Sequence, residues 1–393
     1  MSTGTTSWGG VDARFRVDKQ TTFSVQALAT HSRRVFFFPE EGRSLDRKKN
    51  GFIYAFDYNK DGRHFGHELS AVGRTRYYRA DVGFNRRTNT NNFNWFIRYN
   101  SEPKPKAKLI SWRIFTVPQT NFDWQGRSQS FRDNTQIRFS FRRESFLGIG
   151  FVKGYERVFE EEFGPRRTPA RTGTFAGDDS ERSSHQTNLY LYAGSTPSKR
   201  VNFFFLADRR WGELDFDFGS GFRYPRVSLG AIRARQAEAA GLCAVPPGTA
   251  LPAVCTALQD PGPGDFWHIE GNVAYQPTNE LRLTLDFTKE RLERYDTKQV
   301  AFDQNIVSLR GTYQFTRFLF ARARADFDSI ASNVKGQFLL GWTPNPGTAF
   351  YLGYNDDLNR RGFNPFSGQL EPGFRRNGRT FFVKMSYLFR RSF

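Results

Sequence analysis

The stretch DYNKDGRHFGHE places Asp57, Asn59, Asp61, Gly62 and Glu68 on the spacing D-x-N-x-D-G-x5-E. That spacing is the calcium-loop pattern, in which alternate oxygens and a twelfth-position carboxylate surround the ion. The geometry needs helices on both sides to bring the last carboxylate back. Here FIYAFDY before the motif and HFGHELSAVG after it read as strands. Asn59 and the Asp61–Gly62 pair then read as a hairpin turn, with Gly62 accepting positive φ. A second acidic group, Glu160, Glu161, Glu162, Asp178, Asp179 and Glu181, is interleaved with Arg166, Arg167, Arg171 and Arg182. Two readings stay open for it: a divalent-ion site of the kind that bridges lipopolysaccharide, or a loop that pairs its own charges. The five histidines show no HExxH or HxH spacing, and no G-x-S-x-G elbow occurs. His268 and Ser308 fall on one face of the strand pattern, as chance pairs do on any polar wall. GIGFVKG (148–154) misses phosphate-loop spacing and sits in a strand pattern, where its glycines ease bending or packing. The chain is expected to be no enzyme, with no cofactor and no metal.

Arginine is the remaining chemistry. Net charge is +19, which points to nucleic acid, an anionic membrane surface or acidic ligands. No Lys/Arg cluster sits on a helix and no nucleic-acid module is legible, so no nucleic-acid partner is expected. The basic residues are spread along strands. Arg14, Arg16, Arg138, Arg282, Arg310, Arg322 and Arg324 all fall in polar rows, and rows of Arg facing a lumen attract anions.

Those rows are set by period-two alternation, which puts neighbouring residues on opposite faces of a strand. The first strand is Trp8 to Val17, with Val11, Ala13, Phe15 and Val17 opposite Asp12, Arg14 and Arg16. Leu281, Leu283, Leu285 and Phe287 alternate with Arg282, Thr284, Asp286 and Thr288, and Val307, Leu309 and Tyr313 with Ser308, Arg310 and Thr312. At the end of the chain Phe381, Val383, Met385, Tyr387, Phe389 and Phe393 form an apolar row opposite Phe382, Lys384, Ser386, Leu388 and Arg390. This pattern resembles the closing strand of bacterial outer-membrane β-barrels, whose assembly machinery recognises a terminal Phe. Composition agrees. There are 43 Phe and 15 Tyr, yet the mean hydropathy is −0.63. A wall that is apolar toward lipid and polar toward water gives both values together. No apolar run reaches the roughly 18 residues of a membrane-crossing helix, and 228–241 is the one stretch with a helical pattern.

The fold class expected is therefore all-β, an antiparallel transmembrane β-barrel. Strands of roughly ten residues suit tilted membrane strands, and the pattern holds about 17, with 17–18 or more in the whole barrel. Connections alternate between short turns (Lys19–Gln20, Arg143–Glu144, Pro277–Asn279, Pro344–Gly347) and longer segments (33–49, 74–88, 159–184, 212–264, 293–301, 359–377). Short periplasmic turns and long outer loops are the asymmetry of bacterial barrels. One domain, 1–393, is read, with 212–264 as a long extracellular excursion. Cys243 and Cys255 flank a Pro/Gly-rich segment inside it, without metal spacing, and an exported compartment would oxidise them to a loop-clamping disulfide. The start carries no charged-then-apolar export segment, and strand parity starts the first strand outside. The expectation is an N-terminally truncated fragment lacking at least one upstream strand and its signal.

Several segments carry a family resemblance. They include YRADVGFNRRTNT (78–90), SEPKPKAKLISWR (101–113), GYERVFEEEFGPRR (154–167), GQFLLGWTPNPGTAFYLGYNDDLN (336–359) and FNPFSGQLEPGFRRNGRTFFVKMSYLFRRSF (363–393). Together they resemble the C-terminal barrel of an uncharacterised bacterial family. Its longer members join an N-terminal domain like carbohydrate-binding module family 9 to a large outer-membrane barrel. The resemblance implies a Gram-negative outer-membrane location, with outer-membrane lipid, lipopolysaccharide and the barrel-assembly machinery as partners, and implies no reaction. Two functions follow as expectations. One is a porin-like channel or translocation pore for transport, with a basic lumen biased toward small anionic solutes. The other is a plugged surface receptor or anchor whose outer loops bind polysaccharide or a protein partner.

Overall fold

The computed structural model describes the chain except residues 1–3, 39–42, 80–86, 164–166, 168, 170–172, 176, 217–225, 247–248, 250–251, 256–259, 346, 361–372 and 389–393. Seventeen strands make up nearly all of the regular structure in these residues. In chain order they are β1 (Gly4–Arg16), β2 (Thr21–Phe38), β3 (Arg43–Asp61), β4 (Phe65–Arg74), β5 (Thr90–Asn100), β6 (Leu109–Phe122), β7 (Ser128–Phe141), β8 (Phe146–Phe159) and β9 (Glu181–Ser198). They continue as β10 (Val201–Asp215), β11 (Gly262–Tyr275), β12 (Leu281–Arg294), β13 (Val300–Gln314), β14 (Leu319–Asp328), β15 (Asn333–Asn345), β16 (Thr348–Arg360) and β17 (Phe374–Tyr387). The single α-helix among the described residues is α1 (Leu229–Ala239), inside the excursion where the helical pattern falls. Among the described residues no helix is long and apolar enough to cross a membrane.

The strands hydrogen-bond into a 17-stranded sheet, with β2 to β9 and β10 to β17 following sequence order and β1 paired to β2. Registers from β1 to β6 and from β10 to β17 are antiparallel. Two compact units are distinguished. One holds β1 to β6 with most of β7 and parts of β8 and β9; the other holds the rest of those strands, the loop 160–180 and everything from residue 188 onward.

The apolar rows are exposed, the reverse of a soluble sheet. In the second unit Leu309 is 50%, Phe381 65% and Val383 71% exposed, with Phe205, Trp267, Tyr313 and Trp342 alongside. In the first unit Val11, Phe52, Phe56, Phe93, Trp95 and Tyr99 are exposed too. Side chains of this kind remain outward because hydrocarbon, not water, is their solvent. Buried apolar residues are few, and a small core sits where Val227 meets Phe266, Leu292, Ala301 and Phe302 at one end of β11 to β13.

The structure corrects several boundaries. β2 and β3 run on into both ends of the segment 33–49 that reads as a loop, with ladder pairing up to the 38/43 position and an Arg33–Asp46 ion pair at 2.6 Å. Arg33 stands opposite Lys48 in the ladder and reaches diagonally to Asp46, two residues along the partner strand. The first strand is Gly4–Arg16 rather than Trp8 to Val17, and the excursion narrows from 212–264 to 216–261 because β10 and β11 extend into it. Three outer connections, 123–127, 295–299 and 329–332, are as short as the inner ones, so the alternation of loop lengths is less regular than the sequence suggests. Of the terminal apolar row, Phe381, Val383, Met385 and Tyr387 lie exposed on β17, while Phe389 and Phe393 lie outside the described residues.

Candidate functional site

Arg282, Arg310, Arg322 and Arg324, on β12, β13 and β14, line one concave space of about 840 Å³ on the polar face of the second unit. Register explains their meeting. Thr284 faces Arg310, Arg310 faces Arg324, Arg324 faces Gln337, and Gln337 faces Asn355. The adjoining row runs Arg282, Thr312, Arg322, Leu339, Gly353, Phe382. Directly opposed side chains have Cβ atoms roughly 4.5–5.5 Å apart, so four guanidiniums share a small area. Two are partly neutralised: Arg310 pairs with Asp286, which also accepts from Asn272, and Arg324 Nε lies 2.7 Å from Asp326 Oδ2. Arg282 and Arg322 have no carboxylate partner among the described residues, and the Arg322 guanidinium lies 5.7 Å from the Phe320 ring centroid. The patch holds four cations against two anions. It can therefore hold a carboxylate or phosphate without first breaking an ion pair.

The other three arginines of the expected lumen set lie in the first unit. Arg14 faces Ser24 across the β1–β2 ladder, Arg16 donates from Nε to the Asp18 carbonyl at 3.2 Å, and Arg138 is on β7. They do not join the cavity-lining group of the second unit.

The polar row is less polar than its alternation implies. Phe382 packs over Gly353 and Phe320 over Gly341, so that a Cβ on either glycine would collide with the ring. Both rings lie on the side that carries the arginines. The sequence does show Phe382 in the polar row; that its ring rests on a glycine one strand away is set by register alone.

A second organised region lies at the β10–β13 end, where the excursion folds down. Arg294, 1% exposed, donates from Nη1 to Asp215 Oδ2 and to the Asp260 carbonyl, each at 2.9 Å. Its Nε and Nη2 hold Asp296 at 2.9 and 2.8 Å. Gly262 leaves the space the guanidinium occupies. Burial pushes the Asp296 carboxyl up, but the Arg294 fork outweighs it and the group ends below the ordinary aspartate range. Ser228 caps α1, accepting from the Ala231 amide at 3.2 Å, and Ala231, Ala234 and Ala237 are buried beneath the helix. Cys243 and Cys255 are joined by a disulfide in the same segment. An apolar cavity of about 370 Å³ lies beside it, bordered by Leu214, Phe266, Leu292 and Phe302 with Glu213 and Glu290.

Within the acidic loop Glu160 pairs with Arg167, while Glu181 pairs with Arg157 of β8. Glu160, fully buried, is gripped by Arg167 Nε and Nη2 at 2.8 and 2.9 Å and accepts the Phe175 amide at 2.7 Å. The Arg167 guanidinium holds the Glu160 carboxyl below its ordinary range and also donates to the Gly177 and Asp178 carbonyls. Arg166 and Arg171 lie outside the described residues. The calcium-like motif is a hairpin: Asp57, Asn59 and Asp61 end β3, Glu68 lies in β4, and Asn59 faces Glu68 in register. No cluster of three metal-ligating side chains occurs among the described residues. His268 is bonded to Glu290 at 3.0 Å, whereas Ser308 faces Asp286 and Asp326.

Residues 9–197 match the family model described as Domain of unknown function (DUF5916). No curated protein matches by sequence. Among solved structures, the chain resembles the copper transporter OprC with a TM-score of 0.53 at 9% identity, covering 98% of this chain and 65% of that one. A ferric enterobactin receptor of Pseudomonas aeruginosa aligns over 97% of this chain and 70% of its own, with a TM-score of 0.40 and 8% identity. The siderophore receptor PirA of the same species aligns over 98% and 70%, with a TM-score of 0.38 and 10% identity. The chain thus spans 65% of the length of the copper transporter it resembles. The fold is that of bacterial outer-membrane β-barrels, and with its apolar rows turned outward the protein belongs in the outer membrane.

Proposed function

We propose that this chain forms the wall of a porin-like passage whose basic patch draws small anionic solutes across the outer membrane. The observation that supports it is the meeting of four arginines around one cavity, two of them without a carboxylate partner. Excess guanidinium on a water-filled wall lowers the energy of an entering anion and raises that of a cation. The finer family assignment belongs to the same proposal: the chain is the barrel part of a longer protein with a sugar-binding-like N-terminal domain. A receptor reading is favoured by a different observation, the docking of the excursion onto the strand ends through Val227, packed with Phe266 and Leu292, and through the Asp260 carbonyl on buried Arg294.

Planar-bilayer recording on the full chain in a potassium chloride gradient tests the passage. The expected reversal potential has the sign of chloride preference, and converting Arg282 and Arg322 to Gln moves it toward zero. Cation preference, or no conductance, refutes it. A chain lacking 226–261 that conducts normally but no longer binds cell-surface polysaccharide supports the receptor role instead.

A further inference from the structure

The wall around the arginines carries more than charge. Beyond Arg324 the register belt continues into Gln337 and Asn355, two amides with no hydrogen-bond partner among the described residues. In the row beside it, Arg322 faces Leu339, and Leu339 faces Gly353, over which the Phe382 ring is laid. Strands stand roughly 4.8 Å apart, so Arg322 and Phe382 are separated by about three spacings, some 14 Å. One ring-sized molecule and a long guanidinium arm cover that distance together. The cavity volume of about 840 Å³ lies within the range that small-molecule sites occupy.

Each element answers to a different part of a ligand. An unpaired guanidinium fork matches a carboxylate with two parallel hydrogen bonds. A primary amide both donates and accepts, and so matches the paired hydroxyls of a sugar. A phenyl ring seated on glycine is a flat apolar platform for the C–H face of a saturated ring. An inorganic anion would use only the first element, and a simple aromatic acid would leave the amides idle.

We propose that this patch is a binding site for an anionic sugar, a hexuronate with its carboxylate at Arg322, its hydroxyls on Gln337 and Asn355, and its ring face on Phe382, while Arg282, two strands further along the row, adds only longer-range attraction. The assignment rests on the anion-passage reading above and names its substrate class.

Titration calorimetry on the detergent-solubilised full chain, with D-glucuronate, D-glucose, acetate and benzoate as probes, tests it. Glucuronate is expected to bind, with acetate, glucose and benzoate each weaker by roughly tenfold or more, the scale of losing one well-made hydrogen-bonded or stacking element. Converting Arg322 to Gln abolishes glucuronate binding, whereas Arg282→Gln weakens it only slightly. Phe382→Leu and the exposed Gln337→Leu each weaken glucuronate several-fold and leave acetate unchanged, and the second disturbs no packed residue should the first fail to fold. Acetate or benzoate binding as tightly as glucuronate overturns the sugar assignment while leaving an anion passage intact. Chloride preference in bilayers with no glucuronate binding does the same. Absence of both anion selectivity and anion binding removes the underlying reading as well.

Discussion

Replacing Arg294 by Met tests whether the excursion is held down by one buried cation. The guanidinium is 1% exposed and Asp215 is 7% exposed, so neither charge is solvated by bulk water. Four hydrogen bonds, to Asp215, the Asp260 carbonyl and both oxygens of Asp296, all end on this side chain. Removing one partner of such a buried pair costs about 3–5 kcal/mol, mainly from the charge left behind. At about 1.4 kcal/mol per tenfold, the segment 226–261 should open roughly a hundredfold to several thousandfold more often. The transmembrane ladder is untouched, so the loss is local. Trypsin reads it directly, because Arg226, Arg233 and Arg235 lie in that segment. The expected result is rapid cleavage there in the variant while the strands stay resistant. A double variant, Arg294→Met with Asp215→Asn, should regain part of the protection, since the more deeply buried of the two stranded carboxylates is then gone and only the more exposed Asp296 is left without its partner. Equal cleavage of wild type and single variant, or a double variant no better than the single one, refutes the reasoning.

Two further outcomes follow from face and charge. Leu309→Arg, in the exposed apolar row near the middle of β13, should destabilise the protein in lipid vesicles by about 2–4 kcal/mol, whereas Asn355→Arg, on the polar face and opposite only Gln337 and Thr380, should change little. Urea titration of both variants checks this, and equal effects would mean the two faces are misassigned. The Glu160 carboxyl is held below its ordinary range by Arg167. A group depressed in the folded state contributes stability above its unfolded pKa and loses it as pH falls through the folded one. Exchange protection at the Phe175 amide, which donates to Glu160, should therefore stay level from neutral pH down to the ordinary glutamate value and fall only below it. A loss of protection on the alkaline side would contradict the assignment.

Alternation alone determined much of this protein. Because a strand turns successive side chains to opposite faces, the rows containing Leu309 and Arg310 were legible residue by residue, as were the strand count and the helical stretch of the excursion. Even the misleading calcium spacing at Asp57 to Glu68 was resolved by its flanks. Register was not legible. Which strand residue meets which depends on how each ladder slides until turns, bulges and side-chain packing agree, and that choice brings Arg282, Arg310, Arg322 and Arg324 together and lays Phe382 on Gly353. Nor does local pattern reveal that β2 and β3 extend into 33–49, because the diagonal Arg33–Asp46 pair exists only once the ladder register sets the two residues two positions apart on neighbouring strands. The Arg294 cluster was hidden for the same reason. Asp215, Asp260 and Asp296 are far apart along the chain, and only the folding of the excursion onto the strand ends removes water from between them.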